Sequence, residues 1–133
     1  MLIGGGGFIG RALTQRFLNS GNTLITWCTA SDVSTPPDNI HIVNDLLEQS
    51  AHEQDALLRD VDVVFYLASN TTPSTGATDL AHEIEINVLP FSRYLTALIR
   101  QPDLRLIYLS SGGSIYDPAN PLPATENAAL CAQ

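Results

Sequence analysis

Apolar positions change period repeatedly along the chain, between the alternation or short unbroken runs of strands and the three-and-four spacing of helices. Met1, Leu2 and Ile3 form a stub of strand. From Phe8 to Leu18 the residues Ile9, Leu13 and Phe17 fall on one helical face, and Asn19, Ser20 and Gly21 supply a stop signal. Thr23 to Thr29 predicts a second strand, Ser31 to Asp38 a loop of turn formers, and Asn39 to Val43 a third strand ending near Asp45. A polar helix is expected from about Leu46 to Asp60. Val61 to Ala68 is a nearly continuous apolar strand of the kind found in parallel sheets covered on both faces. After the loop "SNTTPSTGAT", Leu80, Ile84, Val88, Phe91, Leu95 and Leu98 predict a long amphipathic helix starting near Asp79, with a kink at Pro90. Leu104 to Ser111 is a fifth strand, and the proline-rich tail from Tyr116 shows no period.

Strands alternating with helices predict an α/β domain: a doubly wound parallel sheet of about five strands, spanning residues 1–133 as one unit. The chain has 133 residues, 44% hydrophobic and 15% charged, the composition of a globular domain. At this size roughly two-thirds of the unfolded surface is removed on folding, so a proper core can form.

Charge narrows the chemistry. Fourteen acidic residues face six arginines and no lysine, for a net charge of -8. Nucleic-acid binding is not expected, because phosphate backbones need clustered positive charge. Without lysine there is no Schiff-base chemistry and no Walker-type phosphate loop. Cys28 and Cys131 make no disulfide framework, and His41, His52 and His82 share no ligand spacing, so no metal site is expected. No apolar run approaches the ~20 residues that span a bilayer. The expectation is a cytoplasmic protein with no membrane partner.

Gly4 to Gly7 stand between the first strand and the first helix, where doubly wound folds bind nucleotides. Gly4 allows a tight turn, Gly7 removes a side chain where a phosphate approaches the backbone, and Gly10 lets the helix pack closely. Helix N–H groups then face the phosphates, with no lysine needed.

The spacing Gly4-x-x-Gly7-x-x-Gly10 in "GGGGFIG" resembles the glycine motif of the extended short-chain dehydrogenase/reductases, whose nucleotide-sugar epimerases, dehydratases and reductases use a Rossmann fold to bind NAD or NADP. The resemblance runs through nearly the whole chain. It implies that Phe8 and Ile9 belong to the cofactor turn with the three glycines. "NDL" is similar to the family's Asp-hydrophobic step, which implies that Asp45 bonds the adenine amino group and Leu46 covers the ring; read alone, Asp45 is equally a cap for the next helix. "VDVVFYLAS" is similar to the strand ending in His-Leu-Ala-Ala, with Tyr66 in place of the histidine, and implies that Leu67 and Ala68 line the cofactor; alone, it is core. Asn87 interrupts the apolar helix face where the family carries an asparagine near the active site; alone, it is a solvated polar residue. "YLSSGGSIYD" resembles the segment bearing the catalytic serine or threonine. Counting back three from Ile115 reaches Gly112, which leaves Ser111, or Ser110, as the candidate hydroxyl.

Two departures qualify the resemblance. Cys28 and Thr29 stand where an acidic residue would hold the ribose 2'-hydroxyl of NAD, so NAD and NADP both remain candidates. After "PLPATE", similar to the family's Pro-x-x-Glu, the Tyr-x-x-x-Lys pair expected about ten residues later is not among the 133. The family uses that pair for proton exchange with the sugar and for holding the nicotinamide ribose. The expectation is therefore the cofactor-binding, N-terminal piece of an epimerase-like enzyme, inactive by itself, with a nucleotide-sugar substrate and homo-oligomeric assembly in the full-length form. The competing expectation is a non-catalytic module that senses NAD(P) or pairs with another chain.

Overall fold

The computed structural model describes residues 1–21, 24–27, 40–43, 49–69, 79–111, 115–120 and 123–131. Five strands form one parallel sheet: β1 (Leu2–Ile3), β2 (Leu24–Trp27), β3 (Ile40–Val43), β4 (Val63–Tyr66) and β5 (Arg105–Tyr108), in the order β3-β2-β1-β4-β5. This is the expected doubly wound arrangement, in which the chain order reverses at β1. Each of the five expected strands is present, with the ladder shorter than the apolar run that predicted it.

β1 is the central strand although only two residues long. Leu2 pairs with Thr26 and Phe65, Ile3 with Trp27 and Tyr66. Main-chain bonds extend this pairing: the Met1 amine donates to Val63 O at 2.7 Å, Phe65 N to Met1 O at 2.9 Å, and Leu67 N to Ile3 O at 2.8 Å. The strand stops at Gly4, whose φ of +87° belongs to a turn.

Alternation along the strands sends side chains to two layers. On one side, Phe65 meets Phe17 of α1 (Phe8–Leu18) with ring centroids 5.4 Å apart. On the other, Ile3, Val64 and Tyr66 join Leu58 of α2 (Ala51–Leu58) and Tyr94, Ala97 and Leu98 of α4 (Leu89–Leu98) in the main core. Arg100, just beyond α4, reaches Asp55 of α2 through Nε at 2.8 Å; this half-exposed pair orients the two helices and contributes little stability.

Three details differ from the sequence expectation. The helix predicted from Leu46 begins at Ala51, because Ser50 and Glu53 form a capping box: Ser50 N donates to Glu53 Oε2 at 2.9 Å and Glu53 N to Ser50 Oγ at 3.4 Å. The N-cap of this helix is Ser50. The long helix is a composite of α3 (Leu80–Glu83), a π turn (Ile84–Val88) and α4. Pro90 stands at the start of α4, directly after this turn: proline lacks an N–H and its ring would strike the carbonyl four residues back, and the turn before it widens so that Leu89 N reaches Ile84 O. The tail is also organised. Tyr116 and Leu130 form an antiparallel bridge, with Asp117 N bonded to Ala129 O at 2.9 Å and Cys131 N to Ile115 O at 3.0 Å.

Candidate functional site

The glycine turn lies at the C-terminal end of β1, the topological switch point of the sheet. A Cβ on Gly4 would lie 2.8 Å from Ala68 N and 2.9 Å from Leu67 C, so the ends of β1 and β4 touch backbone to backbone. A Cβ on Gly10 would run into the carbonyl oxygen of Gly4 and lie 2.6 Å from that of Gly5. Gly10 thus lets α1 seat on the turn itself, rather than on the strands.

Gly7 differs from both. Its N–H donates to Gly4 O at 3.2 Å, its backbone is extended, and a Cβ would make only ordinary contact at 3.4 Å. It is exposed and serves as the N-cap of α1, with no side chain to occupy the first-turn N–H groups. Whereas α2 closes its start with Ser50 and Glu53, α1 leaves its start open to a ligand, and no acidic residue in its first turn would repel an anion. Phe8, 92% exposed, and Ile9 stand at the rim of this opening.

A cavity of about 270 Å³ begins on the other side of Ala68. Its floor and one wall are Tyr66, Ala68 and Ser69 at the end of β4 and Tyr108 at the end of β5; Glu83, Asn87, Val88 and Phe91 form the opposite wall. Tyr66 and Tyr108 are paired across β4 and β5 and their rings stack 6.0 Å apart, while Phe91 meets Tyr66 edge-on at 4.8 Å. Tyr66 is only 4% exposed, and burial, with Tyr108 beside it, raises its phenol above the ordinary value of 10.0. At neutral pH Tyr66 therefore keeps its proton and is no base. Asn87 is half-buried, and its Nδ2 donates to Glu83 Oε2 at 2.8 Å.

The structure brings together Gly4, Gly7, Phe8, Ile9, Gly10, Leu67 and Ala68 at the turn, and Ala68 with Asn87 in the cavity. Ser111 lies exposed beyond the end of β5 and is not among the cavity's lining residues; its carbonyl accepts from Ile115 N at 3.2 Å. Asp45, Leu46, Cys28, Thr29 and Gly112 lie outside the described residues. Sequence reasoning passed over Glu83, Ser69, Phe91 and Tyr108 as site residues. Glu83 carried a usable signal, standing one helical turn before Asn87. Among the described residues no group of His, Cys, Asp and Glu is placed to hold a metal, and no helix is long and apolar enough to cross a membrane.

Comparison with known proteins agrees with this geometry. Residues 1–131 match the model of the NAD dependent epimerase/dehydratase family. A curated relative from Methanocaldococcus jannaschii, an inferred UDP-glucose 4-epimerase, is 23% identical over 129 residues, which are 96% of this chain and 42% of the relative. Among solved structures, the UDP-glucose 4-epimerase of Thermotoga maritima with UDP-glucose superposes with a TM-score of 0.80 at 20% identity, covering 99% of this chain and 44% of that one. The UDP-glucose 4-epimerase of Thermus thermophilus in complex with NAD gives 0.78 at 21% identity, covering 98% and 43%. The chain thus spans about two-fifths of the length of the relatives it matches.

Proposed function

Because this chain belongs to the NAD dependent epimerase/dehydratase family, we propose that it is the dinucleotide-binding part of a nucleotide-sugar epimerase, dehydratase or reductase that works through a transient keto sugar. The observation that carries this reading is the contact between Gly4 and Ala68. It joins the glycine turn that opens α1, whose N-terminus suits a pyrophosphate, to a cavity lined by aromatic rings and an amide. A dinucleotide needs both features side by side.

In this reading Gly4 and Gly10 shape the turn, Gly7 leaves the space above the helix start clear, and Phe8 and Ile9 present their N–H groups to the pyrophosphate. Asp45 and Leu46 serve the adenine end. Leu67 and Ala68 carry the middle of the cofactor, and Asn87 faces the nicotinamide half. Bound NAD supplies a hydride acceptor and donor. Tyr66 and Phe91 keep water from the reacting face, which strengthens every polar contact made there. Ser111 is the chain's own candidate for a hydroxyl near the substrate. A serine hydroxyl does not by itself take the proton that must leave as hydride does, and these 133 residues include no lysine to assist a tyrosine. The chain alone is therefore a binder without turnover, and a location in the cytoplasm goes with this reading.

Titration of the chain and of Gly7→Val with NAD and NADP tests the proposal. The parent should bind, with the preferred nucleotide deciding the identity of the 2' substituent, and the variant should bind at least about tenfold more weakly, because its side chain fills phosphate space. Equal affinity of variant and parent would sink the phosphate-turn reading.

The competing reading is a non-catalytic module that binds NAD(P) or a partner chain. Turnover of nucleotide sugars by the gene's full product would reject it.

A further inference from the structure

Glu83 closes α3 and Asn87 lies in the π turn that follows, four residues on. Residues at this spacing share a helix face, and here the two side chains meet at 2.8 Å while both line the cavity. A carboxylate accepts hydrogen bonds and cannot donate them, whereas an amide does both through different atoms. Glu83 therefore settles which end of the Asn87 amide turns toward it. The nitrogen is drawn to Oε2, and the oxygen is the atom through which the amide serves a donor.

Among the described residues that line the cavity, Glu83 is the only acidic one and none is basic. The cavity adjoins the glycine turn at Ala68, over β4, on the opposite side of β1 from β2 and β3. A dinucleotide whose phosphates lie on the turn sends one half toward β2 and β3 and the other into this cavity. A ribose in that second half offers hydroxyl donors.

We propose that Glu83 is a positioning residue that orients the Asn87 amide so that its oxygen accepts from a hydroxyl of the nicotinamide-ribose half of the cofactor, an inference that rests on the dinucleotide reading above. Glu83 acts through Asn87. Without it the amide can turn its nitrogen toward the same hydroxyl and lose the acceptor.

The test uses the full chain at neutral pH and two probes, NAD and ADP, the second lacking the nicotinamide half. Glu83→Leu should weaken NAD about tenfold and change ADP by less than about twofold, since a charge-assisted contact is lost at one end of the ligand only. Asn87→Asp alone should weaken NAD similarly, because two carboxylates then face each other. In the Glu83→Gln/Asn87→Asp double variant the introduced carboxamide donates to the introduced carboxylate, and NAD affinity should return to within about threefold of the parent. Unchanged NAD affinity in Glu83→Leu overturns the proposal. So does equal loss of NAD and ADP, which marks a merely structural role, and so does failure of the double variant to recover while its circular dichroism matches the parent. A parent chain that binds neither probe rejects the dinucleotide reading itself, before any variant is made.

Discussion

Gly7 and Gly10 are three residues apart, and substituting them should have opposite consequences. A side chain at position 10 meets the Gly4 and Gly5 carbonyls, which are backbone and cannot swing aside. Gly10→Ala should therefore destabilise the fold by about 1–3 kcal/mol, the usual penalty of overpacking, read as a lower denaturant midpoint. Gly7→Val should leave that midpoint nearly unchanged while removing dinucleotide binding, because Gly7 is exposed and a Cβ there meets only Gly4 O, at the ordinary contact distance of 3.4 Å. Tyr66 supports a prediction about alkaline pH. Burial raises its phenol above 10.0, so above that value the folded chain holds a proton that the unfolded chain has released. Stability from this group is complete below pH 10 and is lost as pH rises through the raised value. Tyr66→Phe should flatten that alkaline decline in a denaturation series, and an unchanged slope would assign the decline to other groups.

At the scale of elements, α2 shows how a helix start is chosen. The Ser50 hydroxyl and N–H hold the Glu53 carboxyl below its ordinary 4.5. The contribution of this cap is present above 4.5 and fades as pH falls through the lowered value. Ser50→Ala should remove about 1 kcal/mol of stability near neutrality. It should also move the Glu53 carboxyl back toward 4.5, measured by NMR titration; an unmoved carboxyl would mean that the backbone bond alone holds it. At the other end of the helix, Leu58 is 1% exposed in the main core. Leu58→Ala should cost about 2–5 kcal/mol through lost burial and a residual cavity, seen as a fall in Tm. The Ser-x-x-Glu signature of the cap was present in the sequence. Apolar and polar period nonetheless placed the start at about Leu46, with Asp45 as a candidate cap, and the reciprocal bonds of Ser50 and Glu53 fix the start at Ala51.

For the whole molecule, apolar residues left outside the core bear on assembly. Leu80, Ile84 and Val88 recur every fourth residue along α3 and the π turn, and all are exposed. Ile107, Tyr108 and Leu109 are exposed on and just after β5, which pairs only with β4 among the described strands. Surfaces of this kind drive association when contiguous patches exceed a few hundred Å2. Sedimentation should show self-association that grows with concentration, and Ile84→Glu should shift the chain toward monomer. A parent chain that stays monomeric at high concentration would count against a homo-oligomer built on this face.

Residue order alone determined the alternation of strands and helices, the glycine turn between β1 and α1, and the lack of a lysine, because each depends on local period, local conformational freedom or composition. From these followed the parallel sheet, the dinucleotide reading and the expectation of a chain without turnover. Tertiary structure decided what lies next to what. Tyr66 and Tyr108 are 42 positions apart and stack only because β4 and β5 pair in register. Gly4 touches Ala68 because a two-residue strand lies beside β4. The Glu83 and Asn87 contact is nearly local, yet its meaning comes from the cavity that both line. Period and propensity report how a segment folds on itself, whereas a site is made of contacts between segments, and those are set by register and by the packing of side chains across layers.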